Sequence, residues 1–338
     1  MGFKRLETDD FIVSAQAQTS TCWTSNVPVL TTFFTQSNQV NSDSFSYYTT
    51  IFDLDPTSSL SKAQFEIAYG NKSGGGAAAF NQAAVPGVSP SSTIYGQYRT
   101  LVLEDENASF MFGTTSSDSI YALSIERAAY KESLFPGSLN LTLTLGSATI
   151  SLTDNSNMVS TPTYFGTMRS YQIISGSNGS APSGSGGFLP NGSSYGLFLP
   201  DIGTILLNGD ALDQSAGNGG ILLNTNKALN TIANNSLKLL ASIQSGSSFG
   251  LNSEETITSD YIFVRARNSE FNYSENPSYI SGSTGEVVYN YFINNPQTYL
   301  TTIGLYNDSN ELLAVAKLSK PLNKDFTKEA LVRVKLDF

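Results

Sequence analysis

Residues 138–145 read SLNLTLTL, and ATISLT follows directly after Gly146 and Ser147. Successive side chains of a strand point to opposite faces, so Leu139, Leu141, Leu143 and Leu145 share one face and Asn140, Thr142 and Thr144 the other. That is the pattern of a half-buried hairpin turning at Gly146-Ser147. Much of the chain has the same character. Segments 11–15, 29–34, 47–54, 64–69, 100–103 and 109–112 are short, rich in β-branched and aromatic residues, and bounded by turn formers. A second hairpin is expected across 205–212, where Asn208-Gly209 is a favoured type I′ turn pair. The expected fold is mainly β, with one or more antiparallel, β-sandwich-like domains and one or two short helices.

The helix expected is 227–245, which spaces Leu229, Ile232, Ala233, Leu237, Leu240 and Ile243 by three and four residues before Gly246. Asn234-Asn235 in its middle is unfavourable. Helical turns are expected at 62–65 and 125–131. Two Gly-rich stretches read as loops, SGGGAAA at 73–79 and SGSNGSAPSGSGG at 175–187. The second either divides two domains or is a long surface loop inside one. Taken as a boundary, it gives an N-terminal β-rich domain at 1–174, a flexible loop or linker at 175–187, and a C-terminal β-rich domain at 188–338 that contains the helix. The absence of a regular internal repeat argues against a propeller, solenoid or β-helix.

The 338 residues include no histidine and a single cysteine, Cys22. Without histidine there is no Ser-His-Asp or Cys-His nucleophile, no His-bearing metal site and no imidazole switch. One cysteine excludes intrachain disulfides and CxxC chemistry. Lys and Arg number 18 against 28 Asp and Glu, a net charge of −10. That is the wrong sign for the basic footprint of nucleic-acid binding. Charged residues are only 14% of the chain, against the usual ~25%, and Ser, Thr, Asn and Gly take their place. The opening MGFKRLETDDF lacks the apolar core of a signal peptide, and Leu6 breaks the myristoylation pattern. No apolar run approaches the ~18 residues of a membrane span. The expectation is a protein made in a cytosol, with no membrane partner.

Motifs that carry chemistry fail on inspection. Gly192-Ser-Ser194-Tyr-Gly196 and Gly246-Ser-Ser248-Phe-Gly250 both match G-x-S-x-G, but a hydrolase elbow needs a histidine base. The carboxylate clusters Asp53/Asp55, Glu104-Asp105-Glu106, Glu254-Glu255 and Asp201/Asp210/Asp213 suit a glycosidase only if two of them flank an aromatic-lined cleft. The plainer reading is solvated charges and turn formers. Asp53-Leu-Asp55 opens like a calcium loop, but Pro56-Thr57-Ser58 breaks the ligand spacing. The eight N-x-S/T sites are those expected by chance in so Asn- and Ser-rich a chain. No phosphate-binding loop is present. The expectation is a non-enzyme with no catalytic residue, no cofactor and no metal.

One resemblance is carried by the last forty residues. IGLYNDSNELLAVAKLSKPL, 303–322, reads as two strands about Asn307–Asn310, and a last strand at 330–338 follows. This string resembles a hairpin of tail-fibre attachment and baseplate-associated proteins of tailed bacteriophages. FEIAYGNKSGGG, SPSSTIYGQYRTLVLEDENASFMFG, IYALSIERAAYKE and SEETITSDYIFVRARNSEFNYSENPSYIS resemble virion structural proteins of large contractile-tailed phages, particularly those of cyanobacteria. The resemblance implies a virion component assembled in the host bacterial cytoplasm. It also implies other virion proteins as partners, homo-oligomers in a symmetric tail or particle, and a C-terminal hairpin that serves packing and docking. A neck or capsid-decorating protein is an alternative. From another class, so is a carbohydrate-binding or carbohydrate-cleaving adhesin or depolymerase. Interfaces favour Tyr, Phe and Arg over Lys. The candidate patch is DYIFVRARNSEFNY at 260–273, with Phe263, Arg265 and Arg267 opposite Ile262, Val264 and Ala266, then Phe271 and Tyr273. The competing reading is an internal strand whose arginines pair with Glu254, Glu255 or Glu270. Tyr279, Tyr306 and an N-terminal arm through about Gln18 complete the interface candidates.

Overall fold

The computed structural model describes residues 3–35, 48–75, 91–227 and 235–337. The chain is mainly β and its strand pairings are antiparallel, as expected. It divides into two compact units. A central unit is Gln18–Glu255, and a terminal unit joins Met1–Ala17 to Thr256–Phe338. The division therefore does not fall at 175–187. It falls at 17/18 and 255/256, inside two long strands, β1 (Phe11–Thr21) and β16 (Asn252–Ala266).

The central unit is built on β2 (Val29–Leu30), β3 (Tyr48–Phe52), β4 (Ala63–Asn71), β7 (Ser119–Ile125), β9 (Asn140–Leu145), β10 (Ala148–Asp154), β11 (Thr163–Phe165), β12 (Met168–Ser175), β13 (Gly196–Leu199), β14 (Thr204–Asn208) and β15 (Ser248–Gly250). These make one eleven-stranded sheet in the order β2-β15-β9-β10-β12-β13-β14-β7-β4-β3, with β11 beside β12. The smaller β5 (Phe110–Phe112) and β6 (Thr115–Ser117) pair with each other. The hairpin read from the leucine alternation is present. Leu145 faces Ala148 across its turn, and Leu139, Leu141 and Leu143 are buried.

The sheet curls until its ends share one core. β15 and β4 lie far apart in the strand order, yet the Phe249 and Phe65 rings are 5.2 Å apart, and Trp23 packs 4.9 Å from Phe249. The Trp23 indole N–H, which must find a partner when buried, donates to the Phe249 carbonyl at 2.9 Å. A helix α1 (Ser91–Leu103) covers the other face through Tyr95 and Val102, against Ile120, Ala122, Leu197, Leu199 and Leu206. Strands β7, β13 and β14 are thus buried on both faces, which is why Ile120–Leu123 and Leu197–Leu199 run apolar instead of alternating.

Several local expectations are corrected. Residues 100–103 close α1 instead of forming a strand, and 62–65 enter β4 instead of a helical turn. A 3-10 turn does occur at Arg127–Ala129. Asn208-Gly209 is no hairpin turn. The Asn208 side chain accepts from the backbone N–H groups of Asp210 and Ala211, capping the short helix α2 (Gly209–Leu212). The expected helix at 227–245 is present as α3 (Asn235–Gly246), burying Leu239, Leu240 and Ile243, while 228–234 lie outside the described residues. So do 76–79 of the first Gly-rich stretch.

Residues 175–187 connect neighbouring strands β12 and β13 and are pinned to the sheet. Ser175 donates to the Gly187 carbonyl at 2.8 Å, and Gly176 to that of Ser151 at 2.9 Å. Gly187 has φ +71°, and a Cβ there would come within 2.6 Å of the Ser175 carbonyl oxygen.

The remaining strands are β8 (Ser133–Leu134), β16 (Asn252–Ala266), β17 (Thr298–Tyr306), β18 (Leu312–Lys324) and β19 (Ala330–Asp337). β1, β16 and β19 form a sheet in that order, with β8 on the first residues of β16. β17 and β18 form a separate two-stranded hairpin. A short helix α4 (Asn290–Asn294) precedes it.

Candidate protein interface

The terminal unit buries little of its apolar surface. Both hydrophobic cores lie within the central unit. The buried hydrophobic residues of the terminal unit are Ile262, Ala266, Phe292, Ala330 and Val334. Of the 30 large hydrophobic side chains exposed among the described residues, 17 belong to it, although it is much the smaller unit. Monomeric soluble domains rarely leave apolar surface so unpaired unless another surface covers it.

On the β16–β19 ribbon the register sets Ile262 against Val334 and Ala266 against Ala330, all buried. The alternation read from the sequence holds. The outer face sets Tyr261, Phe263 and Arg265 against Lys335, Arg333 and Leu331. The Arg333 guanidinium lies 5.5 Å from the Tyr261 ring centre, a cation–π contact. Phe263 is half-buried, while Arg265 and Arg267 are exposed. The pairing with Glu254 or Glu255 does not form. Glu254 lies 3.7 Å from Arg169 and Glu255 pairs with Lys131, whereas Arg265 is 4.0 Å from Glu329. Glu270 instead accepts from the backbone N–H of Arg267 at 2.8 Å and from Lys4 at 3.0 Å, and these donors lower its pKa. Lys4 also reaches the Arg265 carbonyl.

The other candidates scatter around this ribbon. Phe271 is half-buried at φ +57°, and its carbonyl accepts from the Thr298 hydroxyl at 2.6 Å. Tyr273 is exposed. Tyr279 sits in an aromatic group with Phe292 at 5.2 Å and Tyr289 at 6.0 Å, and Tyr291 stands 5.4 Å beyond Tyr289. Tyr306, at the end of β17, meets Phe3 edge-to-face at 5.3 Å. The N-terminal segment through Ala17 is part of this unit.

One organising residue had no sequence signal. Lys324 is fully buried, and its ammonium donates to the Asn268 carbonyl at 2.9 Å, the Asn272 side chain at 2.9 Å and the Asp325 carbonyl at 3.1 Å. Asn272 in turn donates to Asn268 at 2.7 Å. The turn that follows β16 is thereby tied to the root of the hairpin. Beside it, the Asp325 carboxylate is held well below the usual carboxylate range by the Thr327 hydroxyl and by Lys328.

Along the hairpin, Thr298 and Lys324 at the root are buried and everything between them is half-buried or exposed. Ile303 and Leu305 face Ala316 and Ala314, a half-buried apolar stripe. Tyr299, Leu312, Leu313, Val315 and Leu322 are exposed. A two-stranded hairpin alone is marginally stable. The sequence features that could have marked this surface, and were not read as such, are the absence of charge from 298 to 306 and the run LLAVAKL.

The carboxylate clusters are structural groups spread through the central unit. Asp53 is buried and accepts from Thr24 at 3.2 Å and from the Lys62 backbone at 3.0 Å. Asp55 caps Thr57, which lowers its pKa. Asp201 takes a forked pair of bonds from Arg169 at 2.9 and 2.7 Å, and Asp210 and Asp213 hold Lys227. Asp55 and Glu104-Asp105-Glu106 are exposed, and Asp55 and Asp105 accept from the backbone N–H two residues on, the solvated charges and turn formers of the plainer reading. Asp53, Asp201, Asp210 and Asp213 are instead held by side-chain or backbone partners. Ser194 is buried and bonded to Gln172 at 2.5 Å, and Ser248 opens a strand, so neither sits on a strand-to-helix elbow. Among the described residues, no group of three or more Cys, Asp or Glu is placed to hold a metal ion, and no helix is long and apolar enough to cross a membrane.

No protein-family model matches this chain, and no curated protein or solved structure matches it.

Proposed function

We propose that this protein is a non-enzymatic structural component of a phage virion that works by binding other proteins through its terminal unit. The observation that carries the protein-binding part is the concentration of exposed apolar side chains, 17 of the 30 among the described residues, in a unit whose described residues form no hydrophobic core cluster. The outer face of β16–β19 adds the Tyr, Phe and Arg that interfaces favour. The virion assignment, and within it the baseplate or tail-fibre attachment region, draws on the resemblance of 303–322 and the other matching segments. Its partners are other virion proteins and further copies of this chain, without nucleic acid, membrane or cofactor. The test is electron cryo-microscopy of phage particles carrying a label on this protein. Label at the baseplate supports the reading, and label on capsid hexamers overturns the tail placement. Release of reducing sugar from host envelope polysaccharide by the purified protein overturns the non-enzymatic reading.

A further inference from the structure

Each sheet of this molecule must deal with its open edges, because an unpaired strand offers its N–H and C=O groups to any other chain. The large sheet ends on very short strands, β2 with 2 residues and β3 with 5. In the terminal unit, β19 carries Arg333 and Lys335, and β18 carries Lys317, Lys320 and Pro321. Charge and proline are the devices that keep edges from pairing.

Strand β17 carries neither. Its nine residues, TYLTTIGLY, sit inside an uncharged run that extends from Val287 to Asn307. Among the described residues β17 pairs only with β18, so its other edge is open. The contrast between two edges of one hairpin, β18 guarded and β17 bare, marks the side that is meant to be covered. β1 is also long and uncharged, but its open edge begins directly after Asp9 and Asp10.

We infer that the open edge of β17 pairs antiparallel with β17 of a second copy of this chain, around a two-fold axis at Thr302. This deepens the protein-binding reading of the terminal unit and rests on it. The strand is self-complementary in that register. Thr302 opposes Thr302, Thr301 opposes Ile303, and Tyr299 opposes Leu305, which are pairs of the β-branched and aromatic–aliphatic kinds that stabilise sheets. The β17–β18 pairing shifts register between Leu300 and Thr302, so the axis falls where β17 departs from strict alternation on its inner edge. The acids at the hairpin tip, Asp308 and Glu311, lie at opposite ends of the shared sheet and face the uncharged Asn295-Pro296-Gln297. Net charge does not oppose the contact either. The terminal unit holds 10 basic and 12 acidic residues, a net of −2, against −8 for the central unit.

The first test is the mass of the full chain in solution by light scattering. Wild-type protein is expected at twice 36.2 kDa. Thr302→Lys and Thr302→Glu each oppose like charges at the axis and are expected to be monomers, and mixing the two is expected to restore a dimer. A monomeric wild type, dimeric single variants, a mixture that stays monomeric, or an assembly of three or more copies overturns the proposal. Thr302→Cys gives a second readout that asks little of folding. Facing Cα atoms of an antiparallel pair are about 4.5–5.5 Å apart, within disulfide reach. Diamide oxidation should therefore cross-link this variant into a covalent dimer and leave Asp308→Cys uncross-linked; the reverse pattern, or no cross-link, overturns the register. A monomer that still localises to the labelled particle removes this inference and leaves the virion reading standing.

Discussion

Replacing Lys324 by Met is the sharpest test of how the terminal unit is held together. The substitution keeps the buried stem and removes only the ammonium, which makes three bonds to uncharged oxygens. Two acceptors keep another donor, since Asn268 still receives Asn272 and the Asp325 carbonyl still receives the Lys328 backbone N–H at 3.3 Å. The Asn272 side-chain oxygen loses its ammonium donor. Bonds to charged groups contribute about 1.5–3 kcal/mol each and an orphaned buried acceptor costs about 1–3 kcal/mol. Against this stands the relief from burying a charge, which is of comparable size. The orphaned oxygen tips the balance, and a net loss of about 3 kcal/mol is expected. Hydrogen exchange read by mass spectrometry should then show amides in 268–272 and 298–324 exchanging about a hundredfold faster, since every 1.4 kcal/mol is tenfold. Unchanged exchange in those two segments would refute the claim that Lys324 fastens the hairpin to the turn after β16.

Asp154 is fully buried and accepts from the backbone N–H groups of Gly137 at 2.9 Å and Ser156 at 3.0 Å, but burial still raises its pKa above the ordinary 3.8. Its contribution is present in full below the unfolded pKa and is lost as pH rises through the raised folded value. The urea midpoint of wild type should thus lose ground to that of Asp154→Asn with rising pH, and a gap that widens in favour of wild type contradicts this. Cys22 is buried beside Trp23, with its thiol pushed up to about 12 by desolvation. A thiol reagent should leave it unmodified in native protein and label it only at the rate of unfolding, and rapid native labelling would count against the packing described for the central core.

What the sequence made legible was local. The leucines at 139, 141, 143 and 145 announce β9 and β10 because only a strand puts them on one face, and Ile262, Val264 and Ala266 announce the inner face of β16 in the same way. α1 was missed because its residues are poor helix formers, with Thr93, Ile94, Gly96 and Thr100 among them. It is held instead by burial of Ile94, Tyr95 and Val102 against the sheet. Asn208-Gly209 carried two local meanings, turn and helix cap, and neighbouring strands chose between them. Residues 175–187 read equally as a boundary or as a surface loop because Gly/Ser composition does not reveal whether backbone groups are bonded. The two compact units are discontinuous in sequence, and their limits fall within two strands, where no change of composition marks them. Of the surface proposed as an interface, Phe263, Arg265 and Tyr306 were singled out from the pattern. Lys324 was not, because a lysine in a polar stretch carries no sign that its neighbours will bury it.

The central claim is that protein covers the terminal unit when the molecule is at work. Hydroxyl-radical footprinting of free protein and of purified phage particles measures this directly. Tyr299, Tyr306, Leu313 and Val315 are exposed in the free chain. They should lose most of their oxidation in the particle relative to Met111 and Met158, which are exposed on the central unit. Equal oxidation of the four in both samples, measured against the same methionines, would contradict the account.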